Sequence, residues 1–430
     1  MMKLLPIILL AALPLLAQDP QPPATPEPPV PPQVPEPEWI HGKYQSVVTH
    51  ALQAAPNGTL HMKNIHGDIT VLGTDVQRLE ILEKIQLKSV QEADLAGEMI
   101  SELTGRLDVL TTGEQAVYQF IPAQKRGYYV SYDYLVRVPR TFSLVIKCYG
   151  GDVDLTDLQG DLAIQCGYGD IGISNCDGKI EVQTGGGDID VVNANGLIDL
   201  NTGGGDIETR KTKGQITIQT GGGDVEMISA EGELEVHTGG GDIELRIITG
   251  GTVIAKTGGG DVDLESITAE VNVLSKGGDI SAYHITGNLE IATAGGDVDV
   301  SDADGDMVIF TRSGDLDVER VSGLVRAKTG AGDINIEEMT LENPSGQRST
   351  ISTGSGDIYV SYFSSKPIQV EARLRGYSPR YAADHLDGNL EMDLINDDGS
   401  TLGIHKVDDP YHIIEIETGD GTIEIVRGRD

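Results

Sequence analysis

The sequence is poor in aromatic residues. Phe, Trp and Tyr make up 4% of the 430 residues, and there is a single Trp. This scarcity argues against a globular core centred on large aromatic side chains. Glycine is abundant instead, with 55 residues, and the composition favours a core of stacked Val, Ile, Leu and Ala.

Cations are also scarce. The chain has 31 Lys and Arg against 67 Asp and Glu, a formal net charge of −36. Binding to phosphate groups needs clustered cations, so nucleic acid and anionic lipid surfaces are poor partners for such a chain.

Long hydrophobic runs are absent after the first residues. The start, MMKLLPIILLAALPLLAQ, has a cation at Lys3, an apolar run over 4–16 and a small residue at Ala17. This pattern predicts a signal peptide over 1–17, and therefore an exported protein that is periplasmic, extracellular or at the cell surface. No later segment is apolar enough to predict a membrane span.

A phrase of glycines followed by aspartate repeats through the middle of the chain. TGGGD occupies 184–188 and returns at 202–206. Gly-Asp pairs recur in steps of 18 residues, with one step of 19, and end at Asp152, Asp170, Asp188, Asp206, Asp224, Asp242, Asp261, Asp279, Asp297, Asp315 and Asp333. A second glycine lies near the middle of almost every period. Each unit therefore consists of two short segments separated by two glycine corners.

The segments between the glycines alternate apolar and polar residues. Ile198, Leu200 and Thr202 share one parity, and alternation over about five residues predicts a half-buried strand. A unit this small cannot bury its apolar face alone, but stacked units can. The period therefore predicts an all-β fold, a parallel β-solenoid of 18-residue coils. One buried column is predicted to contain Ile189, Ile207, Val225 and Ile243.

Two residue types are expected to shape the corners. Glycine is expected where a Cβ has no room or where φ is positive. Thr at the end of the second segment is expected to point inward, where its hydroxyl can bond backbone groups of the corner.

The other segments predict a linker and two caps. A proline-rich linker is predicted over 18–38, an N-terminal α+β cap with a first coil and one helix over 39–147, β-solenoid repeats over 148–360, and a strand-rich C-terminal cap over 361–430. The helix is predicted over 89–103.

The predicted helix has a start signal and one apolar face. Ser89 and Glu92 fit a capping box, and Leu95, Met99 and Leu103 fall on one side. The caps are expected to cover the open edges of the stack.

Stacking in register would place the corner aspartates about 4.8 Å apart. A second acidic column lies two residues further on, as at Asp190 and Glu208. Two like charges at this spacing repel by ~0.9 kcal/mol in water and ~3.5 kcal/mol at an effective dielectric of about 20. Three arrangements would offset the repulsion: hydrogen bonds from glycine N–H groups, bridging calcium ions, or solvation with screening.

The calcium candidates are Asp188, Asp190, Asp206, Glu208, Asp224 and Glu226. The dedicated calcium β-roll repeats G-G-x-G-x-D every nine residues, whereas here Asp188 stands where the fourth-position glycine belongs. The companion half-coil NANGLIDLN lacks the motif. We therefore expect capped and solvated aspartates and no cofactor, with a calcium-stabilised β-roll as the alternative.

The three cysteines all fall at inward positions. Cys148 and Cys166 occupy the column that is Thr in later coils, and Cys176 lies in another column. Buried free thiols are the first expectation. Export makes a Cys148–Cys166 disulfide the alternative, because in-register neighbours are close. Metal binding is not expected, because the columns differ.

Several phrases together resemble a known family. DYLVRVPR at 133–140, then GGDVDL, GYGDIGI and the serial TGGGDI, resemble the putative-adhesin domain family of bacterial exported proteins, which is largely of unknown function. The resemblance covers roughly residues 45–430. It implies a β-solenoid body and an adhesin-like role, and it carries over no catalytic residues.

The sequence predicts a non-catalytic protein. It contains no H-E-x-x-H or G-x-S-x-G, and its glycine runs lead into strands. Polysaccharide-cleaving β-helices need long loops around paired carboxylates, and the coils carry no such loops, so a carbohydrate-active enzyme ranks third. We expect an adhesin-like binding or structural scaffold at the cell envelope, with an envelope or extracellular ligand.

Overall fold

The computed structural model describes residues 32–88, 90, 92–112, 115–123, 129–341 and 347–428. The predicted signal peptide, most of the proline-rich linker and Ser89 of the predicted capping box lie outside these residues.

The chain folds almost entirely into strands. The first elements are β1 Glu38–Ile40, β2 Lys43–Gln53, β3 Thr59–His66, β4 Asp68–Thr74, β5 Arg78–Lys88, α1 Ala93–Leu103, β6 Arg106–Thr112, β7 Gln115–Ile121 and β8 Tyr129–Pro139. The repeating coils comprise β9 Ser143–Gly150, β10 Val153–Thr156, β11 Leu162–Cys166, β12 Ile171–Thr184, β13 Ile189–Thr202, β14 Ile207–Thr220, β15 Val225–Thr238, β16 Ile243–Thr257, β17 Val262–Ser275, β18 Ile280–Thr286, β19 Leu289–Thr293, β20 Val298–Asp304, β21 Met307–Thr311, β22 Leu316–Ser322, β23 Val325–Thr329, β24 Ile334–Thr340, β25 Gln347–Thr353 and β26 Ile358–Phe363. The last elements are β27 Ile368–Arg375, α2 Pro379–Ala382, β28 Leu386–Gly388, β29 Asp393–Asp397, β30 Ser400–His405, β31 His412–Thr418 and β32 Ile423–Arg427.

The coils stack in parallel register, as the 18-residue period predicts. Ile189 pairs with Ile207, Ile207 with Val225, and Val225 with Ile243. Each of these four side chains is 1% exposed. The predicted β-solenoid and its buried column are therefore confirmed. The single 19-residue step appears as a register shift between Thr249 and Thr252.

Each coil has a third corner that the glycine pattern does not reveal. Five residues after each corner aspartate from Asp152 to Asp333, a non-glycine residue has φ between 53° and 65°: Asp157, Asn175, Asn193, Lys211, Ser229, Ile247, Ser266, His284, Asp302, Arg320 and Glu338. With the glycine corner near mid-period and the TGGGD corner, this bend makes the coil three-sided. The residue type varies because stacking on neighbouring coils imposes the conformation at this position.

The stack begins with residues far apart in sequence. β4 pairs with β10 and with β8, both in parallel, so the first coil predicted within the cap 39–147 is part of the stack. β5 then pairs antiparallel with β8 and with β2. These antiparallel strands continue the sheet beyond the first coils.

The helix α1 is shorter than predicted and differs in its buried face. It begins at Ala93, and Glu92 at its N-cap makes no side-chain capping bond. Met99 and Leu103 are buried as predicted, but Leu95 is 46% exposed. Ala96 and Ile100 complete the buried face instead.

The far end is built in the same way. β31 and β32 pair in parallel with β25 and β26 and so add one more coil. β27 pairs with β31 in parallel and with β30 antiparallel. The stack thus reaches beyond 148–360 at both ends, and the division into repeats and caps stays a prediction.

The cysteines correct one expectation and confirm another. Cys148 and Cys166 form a disulfide, so the expected free thiols are wrong for this pair and the alternative holds. They are in-register neighbours with a Cα–Cα distance of 4.6 Å, within the range that a disulfide spans. Cys176 is free and buried, as predicted.

Candidate functional site

The corner aspartates form a continuous hydrogen-bonded ladder. The backbone amide of Asp206 donates to Oδ1 of Asp188 at 2.8 Å, and the amide of Asp224 donates to Oδ1 of Asp206 at 2.8 Å. The same contact links each corner to the next, from Asp68 to Thr422. Each carboxylate thus accepts a backbone bond from the coil above it.

The donor in this ladder differs from the one expected. The sequence suggested glycine N–H groups, whereas the structure uses the amide of the next aspartate. A carboxylate that accepts a backbone N–H is stabilised by that bond. The ladder therefore offsets part of the repulsion along the column without a cation.

The glycines of TGGGD have different reasons to be glycine. A Cβ on Gly205 would lie 2.1 Å from the Gly187 carbonyl oxygen of the coil below, so the coils could not stack this closely. A Cβ on the preceding Gly204 would meet nothing within 4 Å. The expected lack of room for Cβ is confirmed at Gly205, whereas the middle position is open.

The threonine column behaves as predicted. Thr202 is buried, and its hydroxyl donates to the Gly187 carbonyl oxygen at 2.8 Å and accepts from the Gly205 amide at 3.2 Å. The hydroxyl thereby satisfies two backbone groups of a corner that lies next to the hydrophobic interior.

The second acidic column faces outward beside the ladder. Asp190 pairs with Glu208, and Glu208 with Glu226, in adjacent coils. Two arginines that the sequence reasoning missed lie among these acids: Arg210 forms an ion pair with Glu208, and Arg246 with Glu244. The signal was available, since each arginine follows its glutamate by two residues and so shares its face of the strand.

Burial and crowding perturb part of the acidic surface. The pKa of Asp299 is raised by burial and then by the nearby carboxylates of Asp317, Asp297 and Asp279. The pKa of Asp154 is raised in the same way, by burial and by Asp152 and Asp68. These carboxylates would gain from a cation placed beside them.

Four of the six calcium candidates, Asp206, Glu208, Asp224 and Glu226, line a shallow groove. Its lining, on the corner column and on the outward column, is Asp206, Glu208, Asp224, Glu226, Asp242, Glu244 and Asp263, with Ile207, Val225 and Ile243 between them, and its volume is about 420 Å³. In the described part of the chain, no three His, Cys, Asp or Glu side chains come together in a group that could hold a metal ion. The calcium hypothesis for Asp188, Asp190 and their neighbours stays a prediction.

Two histidine pairs have the composition of catalytic dyads but lie inside the fold. His50 Nε2 is 3.1 Å from Oε2 of Glu83, with side chains 2% and 0% exposed. His412 Nε2 is 3.0 Å from Oγ of Ser349, both buried, and burial lowers the pKa of His412. Neither pair is open to a substrate.

Within the residues that the structure describes, neither helix is long and apolar enough to cross a bilayer.

One family model and one solved structure match the chain. Residues 233–425 match the family model described as Toastrack DUF4097, which supports the resemblance to an adhesin-like domain family over that part of the chain. One crystal structure also matches, and it is described as that of a putative cell adhesion protein from Clostridium sporogenes ATCC 15579. The two sequences are 9% identical, the match covers 88% of this chain and 99% of the other chain, and the TM-score is 0.17. No curated protein matches the sequence.

Proposed function

We propose that this chain, whose residues 233–425 match the Toastrack family model, is a non-catalytic rod that serves as an adhesin-like binding or structural scaffold at the cell envelope. Export by the segment 1–17 and spacing by the linker 18–38 are part of this proposal. The ligand is an envelope or extracellular component, and the periplasm and the cell surface are both compatible with it.

The observation that carries the proposal is the unbroken aspartate ladder. The same backbone contact recurs from Asp68 to Thr422, at distances of 2.7–3.1 Å. Coil after coil repeats the same backbone corner, and many coils carry an acid at the outward position two residues later, as at Asp190, Glu208 and Glu226. Such a surface presents repeated identical contacts along a stiff axis, which suits spacing and multivalent attachment. Catalysis instead needs a few side chains brought together at one place.

A deletion strain tests the proposal. Loss of the protein should reduce adherence or envelope integrity, and surface labelling of the complemented strain should locate the chain outside the cytoplasm. Complementation with Val225→Asp should fail, because this change buries a charge without a partner in the solenoid core. Glu226→Ala, on the neighbouring outward position, should complement. A deletion strain with unchanged adherence and envelope, or a chain retained in the cytoplasm, would refute the proposal.

A calcium-stabilised rod is the second candidate. It is favoured by the groove between the two acidic columns, where Asp206, Asp224 and Asp242 alternate with Glu208, Glu226 and Glu244. Carboxylate oxygens are the ligands that calcium prefers. Its test is a comparison of chelator and salts, given in the Discussion.

A further inference from the structure

One patch on the outer surface of the solenoid is cationic and apolar, unlike most of this acidic protein. We call it the basic face and define it by Leu274, Val308, Phe310, Arg312, Arg326 and Lys328. The first four lie on or beside strands β17 and β21, and Arg326 and Lys328 lie on β23. Val308 pairs with Arg326, and Phe310 pairs with Lys328, in adjacent coils. These side chains therefore form one contiguous outward surface.

The apolar members of the basic face are exposed to solvent. Leu274 is 41%, Val308 38% and Phe310 44% exposed. Grouped exposed apolar side chains rimmed by polar ones are typical of interaction surfaces. Between Leu274 and Phe310 lies Ala292, which pairs with both, so no charge interrupts this row.

The cations of the basic face lack partners. Within the described residues, Arg312, Arg326 and Lys328 form no ion pair, whereas Arg210, Arg246, Arg320 and Arg348 each form at least one. The nearest acid in the row of Val308 and Arg326 is Glu290, one coil before Val308. In a chain of net charge −36, three neighbouring cations without an ion pair suit an acidic partner.

An acidic trough lies on another face of the same coils. It has a volume of about 430 Å³, and its lining includes Tyr283, Asp299, Asp317, Asn335 and Glu337. Glu319 also lines it and is already paired with Arg320. Burial, and then the neighbouring carboxylates of Asp317, Asp297 and Asp279, raise the pKa of Asp299.

We propose that the basic face binds the acidic trough of a second copy of this chain, with the two rods side by side. The charges are complementary, and Tyr283 in the trough gives Phe310 and Leu274 an apolar surface to pack on. Both surfaces belong to the coils between Leu274 and Glu337, so rods aligned in parallel bring them to the same height. The cations lie in two adjacent coils, Arg312 beside β21 and Arg326 with Lys328 on β23, and adjacent coils are about 4.8 Å apart.

The contact is heterologous, because the two surfaces differ. A rod with its trough filled still has a free basic face, and association therefore continues to rows or closed rings. The net charge opposes assembly, but at physiological ionic strength the Debye length is about 8 Å. Distant acids on the two rods are then screened, while charges in direct contact are screened much less.

Sedimentation velocity of the secreted full-length chain over a concentration series tests the proposal. The wild type should form species that grow with concentration at physiological ionic strength. One variant neutralises the basic face with Phe310→Ser, Arg326→Gln and Lys328→Gln. The other neutralises the trough with Asp299→Asn, Asp317→Asn and Glu337→Gln. Each should associate at least about tenfold more weakly than the wild type.

Mixing the two variants gives the sharpest outcome. Each retains one intact surface, so an equimolar mixture should form a 1:1 heterodimer that grows no further. The matched control is Glu226→Gln, Glu244→Gln and Asp263→Asn, which removes the same charge from the same side of the rod at other coils. This control should associate no more weakly than the wild type. Its substitutions reduce the charge repulsion between two rods and leave both the basic face and the trough intact.

Three results would overturn the proposal. The first is a wild type that stays monomeric at every concentration. If its basic face nevertheless binds an added polyglutamate peptide, the occupant of that face is another acidic polymer and not a second copy of this chain. The second is a trough variant that associates more strongly than the wild type, as mere relief of repulsion would cause. The third is a variant mixture that forms no heterodimer although circular dichroism shows both variants folded.

Discussion

The amide of Asp206 donates a 2.8 Å hydrogen bond to Oδ1 of Asp188, its counterpart one coil below. The contact links two like-charged residues through the backbone of one and the side chain of the other. Each aspartate is thus a donor to the coil below and an acceptor for the coil above. The column of acids is part of what holds adjacent coils together.

The ladder needs an acceptor oxygen at each corner, and a charge is not essential for it. Asp206→Asn keeps Oδ1 as an acceptor for the Asp224 amide and removes a repulsive charge. Its free energy of unfolding should stay within about 0.5 kcal/mol of the wild type. Asp206→Ala removes the acceptor and should cost about 1 kcal/mol. Chemical denaturation measures both. Equal losses in the two variants would show that the charge, and not the acceptor, matters.

The third corner should be strained where its residue is β-branched. Ile247 has φ of 58° and is 54% exposed, so it bears the cost of the left-handed conformation without the benefit of burial. Ile247→Asn should raise the free energy of unfolding by about 1 kcal/mol, because Asn adopts this conformation more easily.

Leu197→Asn is the matched control for this prediction. Leu197 is 42% exposed and lies in β13 without a positive φ, so the same amide should give no gain there and should lower stability slightly. Equal effects at the two positions, measured by thermal or chemical unfolding, would mean that backbone strain at Ile247 is not the cause.

The cysteines should differ in reactivity. Titration of the unfolded, unreduced chain with a thiol reagent should find one free thiol, since Cys148 and Cys166 are bonded and Cys176 is free. In the folded protein Cys176 should react slowly. Fast labelling of native protein near neutral pH, or three free thiols in the unreduced chain, would contradict the structure.

Cys176 also makes stability depend on pH in the alkaline range. Burial raises the pKa of its thiol from 9.0 to about 11. Between these values the unfolded chain loses the proton while the folded chain keeps it, so the free energy of unfolding should fall as pH rises above about 9. Cys176→Ala should remove this part of the pH dependence, as unfolding at several alkaline pH values would show.

Much of the architecture could be predicted from the sequence, because the apolar period and the glycine period both follow from stacking. Ile189 and Ile207 are one buried column for that reason. The third corner could not be predicted, since Asn193, Lys211 and Ile247 share a conformation and no chemistry. The coils above and below impose this backbone conformation, so the residue type at the corner itself does not reveal it.

The candidate site was predicted only in part. The positions of the two acidic columns follow from the stacking register. A corner carboxylate can accept a hydrogen bond from any of several backbone amides nearby, and the sequence does not indicate which amide donates. The ladder donor was therefore missed. The basic face was missed because the prediction used only the net charge of the whole chain. Arg326 and Lys328 form a surface patch only together with Val308 and Phe310, which lie beside them in the adjacent coil.

Calcium should have a modest effect on stability. Because backbone amides already hold Oδ1 of Asp188 and Asp206, we expect calcium chloride to act as sodium chloride does at equal ionic strength, through screening. Thermal unfolding in EDTA, sodium chloride and calcium chloride compares the cases. A rise of tens of degrees that is specific to calcium and lost in EDTA would make Asp188, Asp190, Asp206, Glu208, Asp224 and Glu226 ligands instead.

Hydrogen exchange at the Asp206 amide tests the ladder most directly. Although Asp206 is exposed, its amide should exchange much more slowly than in an unstructured peptide, since opening this bond requires the coils to separate locally. Asp188→Ala should accelerate exchange at the Asp206 amide, and Asp188→Asn should leave it protected. An Asp206 amide that exchanges at the unstructured rate in the wild type, or that is equally protected after Asp188→Ala, would contradict the aspartate ladder.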